Sequence, residues 1–314
     1  MVWWIVGGAL LLVWVAMNLK TSRSDGTYLG AVHPYRRMMQ FLMPTRNESV
    51  VYFDEYVNAE PLLEYLAEAR GQFHVDVTHC VVAACGIGLA EAPKMNRFVV
   101  GRRLYQKKGR WITFSMKRRR KDKDAKLSTV KVEVRDGDSF RQLVERIEQK
   151  IGVERSDTVT YTDKELNLFL NLPRPLLGRG VGLLRWLDYH NFLPESFLEP
   201  DPFFTSIFVA NLGSVDMRAG YHHLYEWGTC PLFVMVGKVE DRPVVEGGAV
   251  KVQKTLHLRF TYDERIDDGM SANEGIVAVR RALESPRRYL GCLDPGGSDT
   301  HPLGLAEAAP VDEA

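Results

Sequence analysis

The chain has 314 residues, is 45% hydrophobic and 26% charged, and carries a formal net charge of +1 at pH 7. That apolar content excludes a disordered protein and is enough for one α/β domain of about 240 residues. Near-neutral charge supplies no global field to recruit nucleic acid, so none is expected as a partner and any electrostatic recognition is local.

The first element is Val2 to Leu19, an uncharged apolar run containing Trp3, Trp4 and Trp14. Such a length crosses a hydrocarbon core of about 30 Å. No Lys or Arg precedes it, and Trp14-Val-Ala16 lacks small residues at both cleavage positions, which favours an uncleaved anchor over a signal peptide. Lys20, Arg23, Arg36 and Arg37 all follow the run, so the positive-inside rule gives a single-pass membrane protein with its folded part in the cytoplasm. Residues 20–45 read as a basic juxtamembrane linker, and the folded part opens at Ser49 to Phe53.

Leu62, Leu63, Tyr65, Leu66 and Ala69 fit a helix ended by Gly71, and His74 to Gly88 predicts a second, more buried helix carrying His79 as a structural histidine. Val99 to Arg103 and Trp111 to Met116 predict paired strands bridged by Lys107-Lys-Gly109. Lys117 to Lys126 is the one dense basic run, read as a solvated loop, with a nucleic-acid or, better in an anchored protein, an anionic-lipid contact as the sharper alternative. Phe140, Leu143, Ile147 and Ile151 share the face of an amphipathic helix capped by Asp138 or Ser139. Leu166 to Trp186, rich in Leu, Pro, Gly and Arg, suits a hydrophobic lid or a membrane-touching segment, while Arg174, Arg179 and Arg185 argue against a span. Val250 to Tyr262 alternates as a half-buried strand, runs through an acidic loop to Gly269, and is followed by a helix with Ile276, Val279 and Leu283 on one face and Pro286 at its end. Residues 291–314 read as a disordered tail. Cys80, Cys85, Cys230 and Cys292 show no paired metal spacing and demand no disulfide, so no metal is expected.

The loop sequence Asp263-Glu-Arg-Ile-Asp-Asp-Gly269 resembles the D-H-R-x-x-D-G signature of the chloramphenicol acetyltransferase-like family, which includes the dihydrolipoyl acyltransferase cores of 2-oxoacid dehydrogenases. Further matches follow in order: Phe208-Val-Ala-Asn-Leu-Gly213 with T-I-S-N-L-G, Pro231 to Lys238 with the next strand, and Arg280 to Pro286 with a terminal helix ending L-E-x-P. Ala92-Pro-Lys-Met-Asn-Arg-Phe98 resembles P-x-L-N-x-x-F, whereas Ser115-Met-Lys-Arg-Arg replaces the usual D-T-x-x-G-L-x-x-P strand and leaves the ordinary acyl and lipoyl substrates unsupported. The resemblance implies an α/β fold, an α+β two-layer sandwich with a mixed sheet of the CoA-dependent acyltransferase type, over residues 46–290, preceded by the anchor at 1–19 and the linker at 20–45. It also implies coenzyme A or another acyl thioester as substrate, a homotrimer and a site between subunits. The absence of a lipoyl-bearing domain before the core gives the expectation that this is not an ordinary 2-oxoacid dehydrogenase component.

In that family a histidine takes the proton of a thiol and a Ser or Thr hydroxyl stabilises the oxyanion. An imidazole near pKa 6.5 is a suitable base for a thiol at about 8.5, and a donor aimed at the oxyanion lowers the barrier by about 3 kcal/mol. Here those positions are Glu264 and Ala210. Three readings stay open: Glu264 acts as a base whose pKa burial raises, Glu264 pairs with Arg265 or another cation and the site is dead, or His222 and His223 supply a relocated base. Asp268 is an orienting carboxylate by resemblance, and Asn211, Ser206 and Thr205 are candidate substrate-binding groups. The expected function is membrane-anchored, CoA-dependent acyl transfer, the alternative an inactive trimeric scaffold or acyl-CoA sensor.

Overall fold

The computed structural model of the protein describes residues 2–117, 127–156, 171–291, 293 and 302–304. Helix α1 (Val2–Leu19) buries none of its side chains and, among the described residues, is the helix long and apolar enough to cross a membrane by length and composition. The stretch read as a linker instead contains strand β1 (Gly26–Tyr28) and helix α2 (Pro34–Leu42). Buried charges hold it down. Arg23 donates to Asp25 at 2.9 Å and to Asp188 at 2.8 Å, and Lys107 Nζ donates to Asp25 at 3.1 Å. Burial pushes the Asp25 carboxyl up, but the Lys107 and Arg23 charges outweigh it and hold the pKa at about 2.

Two sheets follow. The smaller has the order β1-β4-β3, with β3 (Arg97–Val100) and β4 (Arg103–Lys107) forming a hairpin. Its turn is Gly101-Arg102, both at positive φ, and not Lys107 to Gly109 as the sequence suggests. Gly109, also at positive φ, hands the chain to the larger sheet, whose order is β2-β9-β8-β7-β5-β6. Its members are β2 (Val50–Asn58), β5 (Trp111–Lys117), β6 (Leu127–Glu133), β7 (Ile207–Asn211), β8 (Leu232–Glu246) and β9 (Ala249–Asp263). β7 runs parallel to β5 and β8 and the other pairs are antiparallel, so the sheet is mixed.

Helices α3 (Glu60–Ala69), α4 (Val77–Glu91), α5 (Phe140–Arg155) and α7 (Gly269–Glu284) cover one face of this sheet. Their apolar sides meet Val209, Val234, Leu258, Phe260 and Tyr262 in the main core. The cap of α5 resolves to Ser139, whose hydroxyl accepts from Gln142 N at 3.3 Å in a capping box. α4 begins at Val77 behind the Asp76 cap rather than at His74, and is buried from His79 to Leu89. Such all-round burial demands a close crossing. A Cβ on Gly88 would stand 2.9 Å from the Gly275 carbonyl oxygen of α7, so glycine is what lets the two helices touch.

The β8–β9 hairpin turns at Gly247-Gly248, both at positive φ, as a two-residue turn requires. β9 is not half-buried as its alternation predicts: its inner part is buried on both faces, Thr261 and Asp263 as well as Leu258 and Tyr262, while Val250 and Val252 on the projecting tip are 73% and 74% exposed. Of the segment Leu166 to Trp186, residues up to 170 lie outside the described residues, and from Arg174 on it belongs to helix α6 (Arg174–Tyr189). Most of the basic run Lys117 to Lys126 and of the tail 291–314 also lies outside them. Leu303, within the tail, donates its backbone N–H to the Asp138 carbonyl at 2.8 Å and packs against the main core.

Candidate functional site

At the carboxyl end of β9 the acidic loop is pinned by two buried carboxylates. Asp263 accepts from Arg265 Nη2 at 2.8 Å and Ser49 Oγ at 2.8 Å, with Arg46 Nε at 3.9 Å. Asp267 receives Arg36 at 3.3 Å, Arg97 at 3.4 Å and Ser271 Oγ at 3.2 Å. Asp268 caps α7, accepting from the backbone N–H of Met270 and Ser271 at 3.2 Å each. This carboxylate is therefore architecture at a helix N-terminus, a favourable place for negative charge.

Glu264 sits between these clamps. Its backbone N–H donates to the Ser49 carbonyl at 2.8 Å and its carbonyl accepts from Arg36 at 2.7 Å, while its half-buried carboxylate has no hydrogen bond or ion pair among the described residues. It does not pair with Arg265, whose fork is taken by Asp263. Residues 263 and 265 lie two apart in a tight turn and share a side, which adjacency in sequence does not reveal. Beside the loop, burial pushes the Tyr262 hydroxyl up, and the charges of Glu264 and Asp268 push it further.

The second signature element lies at the other end of the sheet. Asn211 closes β7 and pairs with Val236, which pairs with Leu258. From Leu258 to Glu264 the chain runs about 20 Å at the rise of an extended strand. Ala210 turns to the outer face, where it packs against the cluster of Phe208, Phe233 and Met235. Asn211 turns to the helical side, donating from Nδ2 to Thr78 Oγ1 at 3.0 Å and accepting from Ser214 N at 3.1 Å. Gly213 is needed for close approach rather than for a left-handed turn, because a Cβ there would meet the Gly237 carbonyl oxygen at 2.5 Å.

Around Asn211 opens a cleft of about 690 Å³ including its solvent-facing mouth, lined by Thr78, His79, Ser115, Met116 and Arg155. Of these, the sequence pointed to His79, as structural, and to Ser115 and Met116, as the departure from the family's D-T-x-x-G-L-x-x-P strand. The Asp76-x-x-His79 spacing puts one carboxylate 3.0 Å from Nδ1, and the packing of α5 brings Glu148 to 3.0 Å from Nε2. Burial pushes this imidazole down, but the hydrogen bonds to Asp76 and Glu148 win and raise its pKa to about 9. His79 is thus biased toward the charged form and has both ring nitrogens committed to Asp76 and Glu148 rather than facing the cleft as a free base.

His222 and His223 occupy a loop over the outer face. The ring of His222 stacks on Phe233 at 4.0 Å, its carbonyl accepts from Thr261 Oγ1 at 2.8 Å, and burial pushes its pKa down, keeping it neutral. His223 is exposed and stacks on His222 at 4.9 Å. Thr261 precedes Glu264 by about 10 Å of extended chain, and the structure pairs neither histidine with Glu264. Thr205 Oγ1 donates to the Trp111 carbonyl at 2.7 Å and Ser206 Oγ accepts from Trp111 N at 3.1 Å, so both hydroxyls stitch β7 to β5.

Residues 205–291 match the family model described as 2-oxoacid dehydrogenases acyltransferase (catalytic domain). A dihydrolipoyllysine-residue succinyltransferase component of the 2-oxoglutarate dehydrogenase complex from Cupriavidus necator is 46% identical over 55 residues, covering 18% of this chain and 13% of that protein. The match therefore spans about an eighth of the length of the curated relative. In fold, the chain is similar to a probable dihydrolipoamide acetyltransferase from Listeria monocytogenes, with TM-score 0.54 and 14% identity over 82% of this chain and 94% of the other. It is similar also to the Azotobacter vinelandii dihydrolipoamide acetyltransferase, with TM-score 0.52 and 19% identity over 82% and 92%, a protein studied for the catalytic roles of a serine, a histidine and an asparagine. Residues 205–291 are thus similar to the catalytic domain of the 2-oxoacid dehydrogenase acyltransferases, and most of the chain shares the fold of the dihydrolipoamide acetyltransferases.

Proposed function

We propose that this chain is a membrane-anchored acyltransferase that moves an acyl group to or from a coenzyme A-type thiol, in a site assembled between copies of a trimer. The observation carrying the reading is the family match over residues 205–291 together with a loop whose frame is intact and whose one unpaired carboxylate, Glu264, stands at the motif's histidine position. In the Azotobacter protein the named histidine and asparagine are four residues apart, the spacing of Glu264 and Asp268. The separation of about 20 Å along one chain between Glu264 and the Asn211 cleft supports a site completed by a second copy. The outer sheet face, with Tyr52 42% exposed and Tyr221 65% exposed, supplies a surface for that copy to cover. The length and apolar composition of α1 support an anchor, and the cations after it favour the cytoplasmic side, where coenzyme A is expected.

The chemistry sets a demand on that second copy. Proton transfer from a thiol near 8.5 to a carboxylate near 4.3 is uphill by about 6 kcal/mol. Desolvation of Glu264 under a neighbouring copy acts in the direction that removes this penalty, since burial raises carboxylate pKa by several units. For the oxyanion, Ala210 offers no donor. Thr78 at the cleft accepts from Asn211 Nδ2, and its hydroxyl also bonds the Asp76 carboxylate, so its proton is already engaged.

A second reading, an inactive scaffold or acyl-CoA sensor, draws its support from the same two positions, where neither an imidazole nor a hydroxyl stands. Calorimetry with coenzyme A and acyl-CoAs, then turnover with an acyl-CoA panel, separates the two. The enzyme binds and turns over, and Glu264→Gln lowers kcat/KM by about 100-fold or more. Binding without turnover gives the sensor instead, turnover indifferent to Glu264→Gln removes Glu264 as the base, and no binding at millimolar ligand overturns the enzyme and leaves the scaffold.

A further inference from the structure

The domain returns to the foot of α1 from three directions. Arg103, after the β3–β4 turn, donates to the Asn18 carbonyl. Asn191, just past α6, donates to the Lys20 carbonyl at 2.8 Å, and Lys20 Nζ lies 5.4 Å over the Phe192 ring. The same turn gathers the other two helices: Arg102 lies 5.0 Å over the Phe41 ring of α2, and a Cβ on Gly101 would stand 2.2 Å from the Tyr189 carbonyl oxygen of α6. The carboxyl ends of α1, α2 and α6 thus converge on Gly101 to Arg103. Arg23, bonded to Asp188 of α6 at 2.8 Å inside the fold, keeps the chain leaving α1 from swinging away.

The free sides of α2 and α6 are apolar. On α2, Tyr35, Met38, Phe41 and Leu42 are 57, 51, 54 and 62% exposed, at the spacing of one helical face. On α6, Leu176, Leu183 and Trp186 are 53, 56 and 47% exposed at the same kind of spacing. Interleaved with them are the exposed cations Arg37, Arg102, Arg174, Arg179 and Arg185. The acid of the two helices is Asp188, which is buried and bonded to Arg23 and to Trp227 Nε1. Aromatic and aliphatic side chains with arginines and no exposed carboxylate are the chemistry of helices that lie in a membrane interface, where apolar atoms enter the acyl boundary and guanidinium groups meet anionic headgroups.

We propose that α2 and α6 form a platform lying on the surface of an anionic lipid bilayer beside the foot of α1, which fixes the domain's orientation to the membrane. The occupant is the bilayer and not another protein, because α1 as a membrane anchor, the reading on which this rests, brings lipid to that same place. The platform also explains why residues 20–45 are folded: the chain leaves the anchor and is tied at once into a rigid base.

The test uses the full chain carrying Cys292→Ser, in which Cys80, Cys85 and Cys230 are buried. One environment-sensitive fluorophore is placed at a time through Leu10→Cys, Phe41→Cys, Leu183→Cys or Val250→Cys, and each protein is reconstituted into vesicles of phosphatidylcholine with or without phosphatidylglycerol. Lipids bearing a quencher at shallow depth are expected to remove most of the emission at positions 41 and 183, more with phosphatidylglycerol than without. Position 10 responds to a deep quencher and position 250 to neither. If position 10 is quenched while 41 and 183 behave like 250, the anchor stands and the platform is overturned. Positions 41 and 183 shielded from a water-soluble quencher yet untouched by the lipid quenchers face a protein, which overturns it as well. An unquenched position 10 overturns the anchor itself and the platform with it.

Discussion

His79 shows what a single buried charge commits the protein to. An imidazole that is 2% exposed would ordinarily be neutral, yet two carboxylates 3.0 Å away raise its pKa from 6.5 to about 9. The folded pKa lies above the unfolded one, so the stabilisation is complete below about pH 6.5 and is lost as the pH rises through 9. The full effect is about 3 kcal/mol at one order of magnitude. Asp76 and Glu148 are correspondingly held below their ordinary values, Asp76 against the upward pull of burial and Glu148 chiefly by its hydrogen bond to His79, so their share is lost in acid. Denaturant unfolding of the detergent-solubilised chain is expected to show stability falling between pH 6.5 and 9, and His79→Gln should flatten that slope. A wild-type profile level across this window would show that the ring is not held as an imidazolium. Of the candidate site, the loop residues Asp263, Arg265, Asp268 and Gly269 were legible because their spacing is a motif. Thr78 was not, because it meets Asn211 only through the packing of α4 against β7.

Helix α4 carries the same lesson at the level of an element. Its composition announced burial, but the partner that makes burial possible, Gly275, lies in another helix nearly two hundred residues away. Gly88→Ala places a methyl group 2.9 Å from the Gly275 carbonyl oxygen and 2.8 Å from a Val279 methyl, so the helices must separate. The expected cost is about 1–3 kcal/mol. Gly178→Ala on α6 is the control: nothing lies within 4 Å of the new Cβ, and removing glycine from a helix interior gains up to about 1 kcal/mol. Melting curves of the two variants should move in opposite directions, and equal shifts would remove the close crossing as the explanation. Strand alternation located β9 and the core face of α7, since both depend on local periodicity. The β3–β4 hairpin was misplaced because Lys107-Lys-Gly109 has the better turn chemistry, while the true turn puts the non-glycine Arg102 at φ 57° and is held by its packing under Tyr189.

At the scale of the whole molecule, the decisive quantity is the distance of about 20 Å along the sheet between Glu264 and Asn211. No side-chain motion closes such a gap inside one sheet whose register runs unbroken from Leu256 to Asp263 along β2. If both residues serve one reaction, they come from different copies, and the assembly is part of the active site. The consequence is measurable without a structure of the trimer. Glu264→Gln and Asn211→Ala proteins, each inactive, are mixed under conditions that exchange subunits, with circular dichroism confirming that both remain folded. Random reassembly leaves about a quarter of the sites with an intact Glu264 from one copy and an intact Asn211 from the next, so activity should return to about a quarter of wild type. A site contained in one chain predicts no recovery at any mixing ratio, because every chain then carries one lesion in its own site. Recovery that scales with the product of the two mole fractions is the signature of the shared site, and its absence in a mixture shown to have exchanged subunits returns Asn211 to a purely structural role as the cap behind Ser214.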